Sequence, residues 1–521
     1  MMTSPRSRQN RSLFIIAFLV VLLTALACSR SVAQGDPSWQ APEQGAGGSG
    51  SLPLLAGSSA TRTPFRPATR LPGTPIFTPT PDELHSLPAQ RTDPERYVVQ
   101  PNDTLGIIAQ RYGISMDELI SSNHLRNPDV LEVGQVLTVP VAIPQGIGPA
   151  FKIIPDSELV YGPASTNFDI AAFVQSQRGY LAQYSEEVDG KTISGAQVVE
   201  RVAQDYSVNP RLLLAVLQYQ SQWLTKTDIG QGKIDYPMGV RQEYRKGLYH
   251  QLAWAANNLN RGYYVWKVGS TATWLLGDGS LVSIDPTINA GTAGVQAMFA
   301  GLYGRADWEN AVAENGLFAT YNSLFGYPFD LAVEPLVPGD VRQPLMQLPF
   351  EPGQDWAFTG GPHGGWDSGS AWAALDFAPP VDALGCVQSD LWDVAVADGL
   401  ITRADNGAVI QDLDGDGFEQ TGWVVLYMHV ETRDRVRAGT FLKAGQRIGH
   451  PSCEGGEATG THLHLARRYN GEWIPADQTL PFVLDGWVSR GTGTEYDGYL
   501  EKKGQKIEAY GGLSPENIIH R

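Results

Sequence analysis

Cysteine is scarce: Cys28, Cys386 and Cys453 are all that 521 residues contain, so one pair can form and one thiol is left over. Basic residues are also in deficit, with 38 Lys and Arg against 55 Asp and Glu and a net charge of −17. That balance speaks against nucleic acid or an anionic lipid surface as the main partner. Long hydrophobic runs are missing as well. LFIIAFLVVLLTALA, residues 13–27, is too short for a comfortable transmembrane helix, which needs about 20 apolar residues. What is abundant is Gly (57), Pro (35), Tyr (20) and Trp (13), a composition that suits an exported protein handling an uncharged polymer. The length allows two to four domains.

The short apolar run follows the basic stretch MMTSPRSRQNR and precedes Cys28, the layout of an export signal. TALAC resembles a bacterial lipoprotein signal, with Ala25 where Leu is usual, and implies lipidation of Cys28 as the first residue of the mature chain. Ala25-Leu26-Ala27 equally suits ordinary signal peptidase, which would release a secreted form, and an uncleaved anchor is the third option. In an exported chain Cys386 and Cys453 are expected to pair, and lipidation then accounts for the odd cysteine. Residues 29–95 are Pro-, Ser-, Thr- and Gly-rich with almost no apolar periodicity, which predicts a disordered tether with an end-to-end distance of about 45 Å.

Residues 96–141 predict a strand over Tyr97–Gln100, a helix from Asp103 and Thr104 to Gly113, a second helix opened by a Ser115–Glu118 capping box, and a strand over Val136–Val139. This stretch, with its DTL turn, YGIS junction and VGQ-x-L-x-VP ending, resembles a LysM module over its whole length. It departs at Asn102, where Gly is common. The resemblance implies binding of N-acetylglucosamine-containing glycan such as peptidoglycan or chitin. Asp103, Thr104, Leu105 and Gly106 on one loop, with Asn127, Pro128 and Leu131 on the other, would line the groove.

From 150 to 343 the apolar spacing predicts helices, including SGAQVVERVAQDY and a helix N-capped by Asn209 with Pro210 in its first position. DYSVNPRLLLAVLQYQS distantly resembles the catalytic helix of lysozyme-like lytic transglycosylases, but Gln220 and Ser221 stand where a Glu-Ser pair belongs. An amide cannot deliver the proton that glycoside cleavage requires. The stretch therefore reads as a helical domain without glycosidase activity, unless Glu200 or Asp235 supplies an acid. The aromatics and Gln220 can equally be plain core and groove lining.

Beyond residue 344, β-rich runs alternate with Gly, Pro and Asp turns, predicting an all-β domain. No H-E-x-x-H segment occurs anywhere. Instead His363 in GGPHGG, Asp376 in ALDFAPP, His429 in YMH, and His462 and His464 in GTHLHL offer scattered metal-binding side chains. Three protein ligands with an open fourth position mark a catalytic zinc site. Residues two apart on a strand share a face, so both histidines of the triplet reach one centre. These four stretches, over about residues 350–485, resemble the lysostaphin-type and β-lytic zinc endopeptidases that cut peptidoglycan peptides. The resemblance implies one zinc ion held by His363, Asp376 and His464, with His429 and His462 as non-ligand catalytic histidines. Asp367, four residues after His363, mimics the ligand spacing of lysostaphin-like members. Asp376 has the family's context of an apolar residue, an Ala/Pro stretch and a V-x-A-x-x-G strand, and is favoured. His450 has no motif match and reads as a core residue. DLDGDG (412–417) resembles the start of a calcium loop, but position twelve is Trp423 and a hairpin turn is expected.

The expectation is a multidomain α+β protein: an export segment (1–28), a linker (29–95), a βααβ LysM module (96–141), a helical domain with a distant, degenerate lysozyme-like resemblance (150–343), an all-β antiparallel zinc-peptidase domain (344–485) and a C-terminal β extension (486–521). The function expected is an extracytoplasmic zinc metalloendopeptidase of peptidoglycan, lipid-anchored or secreted, touching membrane only through its N-terminus and binding no nucleic acid. The alternative is a catalytically silent scaffold or regulator of wall amidases.

Overall fold

A computed structural model describes residues 84–89, 91–100, 103–128, 130–380 and 385–521. The export segment, Cys28, most of the tether and Asn102 lie outside the described residues.

Strand β1 (Glu95–Val98), helices α1 (Leu105–Tyr112) and α2 (Met116–Ser122) and strand β2 (Val136–Val139) form the small N-terminal unit. Gly113 at φ +63° ends α1, as only an unbranched backbone turns there without strain. Ser115 and Glu118 cap each other's backbone N–H at the start of α2. β1 begins two residues earlier than the pattern predicted and pairs antiparallel with β2 from Glu95↔Val139 to Val98↔Val136. Leu105, Ile108, Ile114, Leu119, Leu137 and Val139 fill its core.

The middle of the chain comprises α3 (Ile170–Gln177), a hairpin of β3 (Ser185–Val188) and β4 (Lys191–Ser194), α4 (Gly195–Tyr206), α5 (Pro210–Ser221), α6 (Gln231–Asp235), α7 (Leu248–Lys267), a hairpin of β5 (Thr273–Leu275) and β6 (Leu281–Ser283), α8 (Ala290–Ala300), α9 (Arg305–Ala311) and α10 (Ala319–Phe325). α5 starts where Asn209 accepts the Arg211 N–H and Pro210 occupies the first turn. Its Leu212 to Leu217 are completely buried. α5 is thus buried over this stretch, and α4, α7 and α10 pack against it.

The C-terminal region contains β7 (Asp355–His363), β8 (Ala374–Ala378), β9 (Asp393–Val394), β10 (Gly399–Asp405), β11 (Ala408–Asp412), β12 (Trp423–Met428), β13 (Phe441–Leu442), β14 (Arg447–Gly449), β15 (Leu463–Tyr469), β16 (Glu472–Trp473), β17 (Val483–Leu484), β18 (Trp487–Gly491), β19 (Gly498–Lys502), β20 (Gln505–Glu508) and β21 (Ile518–His520). Its main sheet runs in the order β13-β10-β11-β12-β15-β8-β7-β21, with β16 beside β15. The tail after residue 486 does not stand apart from this region. β17 and β18 pair across the expected boundary at 485, and β21 pairs with β7 at the edge of the main sheet. The pattern of short polar strands in the tail carried no sign of this long-range pairing.

Alternation along the strands decides what the sheet contacts. Leu375, Phe377, Val425, Tyr427, Leu463 and Leu465 point into the core of the β region. Ala374, Ile410, Val424, Leu426, Met428, Ala466 and Trp473 point the other way, into a core shared with the helical region. The helices therefore cover one face of the sheet. Buried charges cross this contact: Arg403 Nη1 lies 2.8 Å from Asp205 Oδ1 on α4, and its Nε lies 3.0 Å from Glu419 Oε1. Arg468 on β15 completes the set, 3.1 Å from Glu419 Oε2.

Burial pushes the Glu419 carboxyl up, but Arg403 and Arg468 more than offset this and hold it below its ordinary value. A carboxylate depressed in the folded state contributes stability above its unfolded value of about 4.3, and loses it as pH falls through the folded value. Replacing Glu419 by Gln is expected to cost about 3–5 kcal/mol, because the buried Arg468 loses its carboxylate and Arg403 is left with Asp205 alone. It should also flatten the acid limb of stability below about pH 4.3. Denaturant unfolding of both proteins across pH 2–7 measures this; parallel acid limbs would contradict it.

Candidate metal centre

β7 ends on His363, β8 carries Asp376 at its middle and β15 carries His464 near its start. Because β8 lies between β7 and β15 in the sheet, the three side chains meet on one face. That face is the one the helices cover further along, since His464 alternates in phase with Ala466 and Asp376 with Ala374. His363 Nε2 is 2.9 Å from His464 Nδ1, and Asp376 Oδ1 is 3.2 Å from both nitrogens. His462 Nε2 lies 3.8 Å from the same oxygen, and the His429 ring is 4.5 Å from that of His462. All five residues read from the sequence are brought together.

The protonation pattern follows from the partners of the opposite ring nitrogens. A carbonyl oxygen only accepts, so the nitrogen facing one carries the proton. His363 Nδ1 donates to Gly361 O at 2.7 Å, and His464 Nε2 donates to Gly365 O at 3.2 Å. His429 Nδ1 donates to Glu454 O and His462 Nδ1 to Gly460 O, at 2.9 and 2.8 Å. The neutral rings of His363 and His464 thus aim lone pairs at a point that Asp376 also faces. Asp376 Oδ1 is buried there without a hydrogen-bond donor. Three electron-pair donors this close, in a dry setting, require a proton or a cation between them. Two imidazole nitrogens and one carboxylate oxygen are a fitting donor set for a borderline metal ion.

The electrostatics agree. Burial opposes charge on Asp376, but the His363 and His462 imidazoles outweigh it and hold the carboxyl well below the usual range. For His363, burial pulls the pKa down while Asp376 raises it further, leaving it above the ordinary value. A proton is therefore the metal's competitor at this site, and metal affinity is expected to weaken as pH falls. His429 is pushed down to about 3 by burial and by the neighbouring His462 and His464, so it is uncharged near neutrality.

Several residues around the cluster carried no readable signal. The His363 ring stacks on Tyr496, with centroids 4.2 Å apart and planes 17° from parallel. Glu495 accepts the Gly364 N–H at 3.3 Å. Both come from the tail, in which no chemistry was legible. The paired glycines after His363 were visible and now have a reason. A Cβ on Gly365 would sit 2.6 Å from Trp473 Cε3, so only glycine lets its carbonyl reach His464.

The remaining expectations divide. Asp367 accepts from Tyr206 Oη at 3.1 Å and is absent from the three-residue cluster. Cys386 and Cys453 form a disulfide. His450 is buried, packed at a 42° tilt against Trp392 and donating to Leu391 O. Asp412 accepts N–H groups of Asp414, Gly415 and Gly417 within the turn between β11 and β12. In the N-terminal unit, Leu105 is a core residue only 3% exposed and cannot line a groove, because its apolar side chain seeds α1. Asp103 accepts from Tyr97 Oη and Gln100 N, at 2.6 and 2.7 Å. Thr104, Gly106, Asn127 and Pro128 are exposed, and Leu131 is half-buried. In the helical region Gln220 accepts from Tyr303 Oη and donates to Met238 O.

Comparison with known proteins fits this architecture. The profile "LysM domain" matches residues 97–140, and "LasA, N-terminal domain" matches 152–336. Protease LasA of Pseudomonas aeruginosa is 25% identical over 369 residues, 66% of this chain and 77% of that protein. Beta-lytic metalloendopeptidase of Lysobacter enzymogenes is 27% identical over 168 residues, 31% of this chain and 90% of that protein. The M23 metalloprotease pseudoalterin is 23% identical, covers 33% of this chain and 98% of its own, and overlays with a TM-score of 0.27. The chain thus carries a LysM-like unit beside regions similar to Protease LasA and to a beta-lytic metalloendopeptidase.

Gly365→Ala tests the packing argument. The added methyl must displace Trp473 or the Gly365 carbonyl, costing about 1–3 kcal/mol, and should weaken metal binding along with stability. A metal titration beside a thermal melt checks both; full metal affinity in a destabilised protein would contradict it.

Proposed function

We propose that the chain hydrolyses peptide bonds in peptidoglycan with one zinc ion held by His363, Asp376 and His464, and that the LysM module brings it to the wall glycan. The observation that carries this reading is the convergence of two imidazole lone pairs on a buried Asp376 oxygen that has no donor. Zinc at that point supplies Lewis acidity toward a water molecule and toward the scissile carbonyl. The chain's own residues do the rest. His429 and His462, each fixed through Nδ1–H to a backbone carbonyl, present Nε2 lone pairs to the site; His462 would take the proton and pass it to the departing amine, while His429, held uncharged, would orient the water as a hydrogen-bond acceptor. Stacked Tyr496 holds the plane of His363. The His462 and His464 side chains are more exposed than that of His363, 17% and 13% against 3%, so the peptide would enter from their side.

Asp103, Thr104, Gly106, Asn127, Pro128 and Leu131 are the candidate contacts to N-acetylglucosamine-containing glycan. The LysM module spans 96–141 and the helical domain 150–343, and the peptidase unit runs from 344 through β21, which belongs to its sheet. The protein is placed outside the cytoplasm, attached through lipid on Cys28 or secreted. Among the described residues no helix is long and apolar enough to cross a membrane.

Mass spectrometry of digested peptidoglycan distinguishes the chemistry. The native protein should release fragments with cut peptides and intact sugars, and His464→Ala should lower the rate by at least about a thousandfold, the scale on which loss of a catalytic group acts. Sugar cleavage, or peptide cleavage that survives His464→Ala, would contradict the proposal.

A further inference from the structure

The loop joining β7 to β8, residues 364–373, connects two of the three clustered residues, and its far end is held by the helical region. Asn257 and Arg261, one turn apart on α7, face this loop. Asn257 Oδ1 accepts the Gly369 N–H at 2.7 Å, and its Nδ2 donates to Ser368 Oγ at 3.2 Å. Arg261 Nη2 donates to Ser368 Oγ at 3.3 Å. Tyr206, the last residue of α4, donates to Asp367 Oδ2 at 3.1 Å, and its ring packs edge-on against Trp366. Gly369 sits so close to the Asn257 backbone that no Cβ fits.

At its near end the same loop sets the ring of His464. Gly365 O is the acceptor for His464 Nε2–H, and Gly365 N donates to Ala371 O at 2.9 Å. Within the loop, Trp366 N donates to Ser370 Oγ, and Ser370 Oγ donates to Asp367 O. The tip is therefore bonded to the base through two or three short links. Some features of the loop oppose this shape. It contains Gly364, Gly365 and Gly369, and Asp367 adopts φ +54°, a left-handed conformation that costs free energy in a non-glycine residue.

We infer that Asn257 and Tyr206, with Arg261, are positioning residues for the metal centre: the helical region clamps the 366–369 tip, the tip fixes the Gly365 carbonyl, and that carbonyl aims His464 Nδ1 at the site. The inference rests on the proposed ligand role of His363, Asp376 and His464. It gives the region matched by the LasA N-terminal profile a part in the centre without contributing a ligand. It also gives Asp367 a use, as the handle by which Tyr206 holds the loop.

The full chain tests this with zinc as the probe. Asn257→Ala and Tyr206→Phe, singly and together, are compared with the native protein by thermal melt, by amide hydrogen exchange over 364–373, by zinc affinity in competition with a chromophoric chelator, and by kcat and KM on soluble peptide. Removing partners that orient a ligand lowers metal affinity by about 10–100-fold. The double variant, one step further out, is expected to stay folded, to exchange its loop amides faster, to bind zinc about 10-fold more weakly, and to lose kcat more than it raises KM. Asn257→Asp keeps the acceptor for the Gly369 amide and should retain most of the affinity. Faster loop exchange with native zinc affinity, or raised activity in the variants, overturns the clamp. His363→Ala separates the two layers. Abolished zinc binding in that protein, with native affinity in Asn257→Ala, overturns the clamp alone; undiminished binding in His363→Ala overturns the metal reading beneath it.

Discussion

Four backbone carbonyls, those of Gly361, Gly365, Glu454 and Gly460, each accept one N–H from a histidine ring, and the rest of the site depends on those four hydrogen bonds. A neutral imidazole has one donor and one acceptor nitrogen, so fixing the donor fixes where the lone pair points. His363 and His464 use opposite nitrogens for this purpose, Nδ1 in one and Nε2 in the other, and that asymmetry lets rings from β7 and β15 converge across β8. An uncompensated set of lone pairs around a buried carboxylate would repel itself. The surrounding structure must therefore hold it, which explains why so many unbranched residues lie next to the carbonyls. Gly360, Gly361, Gly364, Gly365 and Gly460 all flank the cluster.

The supports come from distant parts of the chain. The disulfide Cys386–Cys453 stands one residue from Glu454, whose carbonyl orients His429. Across from it, Thr461 N donates to Gly385 O beside Cys386, bracing the turn that presents the Gly460 carbonyl to His462. The tail folds back so that Glu495 takes the Gly364 amide and Tyr496 lies flat on His363. The helical region covers the same sheet face through Ile410, Val424, Leu426, Ala466 and Trp473. Its Asp205 joins the buried Arg403–Glu419–Arg468 set. A charge network with so little exposure costs more when broken than it contributes when intact, and it ties α4 to the sheet. The strands of the main sheet and the helices therefore share one core, although the sequence reads as separate blocks.

What the sequence made legible is local. His462 and His464 were readable because a strand repeats every two residues, and Asp376 was distinguished from Asp367 because the apolar strand context surrounds only the first. Asn209-Pro210 and the Ser115–Glu118 box announced helix starts for stereochemical reasons, and the helices begin there. What escaped notice is long-range. No spacing rule links Tyr496 to His363, or Asn257 to Gly369, because those contacts exist only after the sheet has formed and the helices have docked. Leu105 lies in a loop-like motif by sequence, yet its side chain enters the core of the small unit.

X-ray absorption at the zinc edge of the zinc-loaded full chain tests the central claim most directly. The account predicts one zinc per chain, coordinated by two imidazole nitrogens and a carboxylate oxygen at distances of about 2.0–2.2 Å, with one imidazole lost in His464→Ala. A sulfur ligand, a coordination shell unchanged in His464→Ala, or no stoichiometric zinc would contradict it.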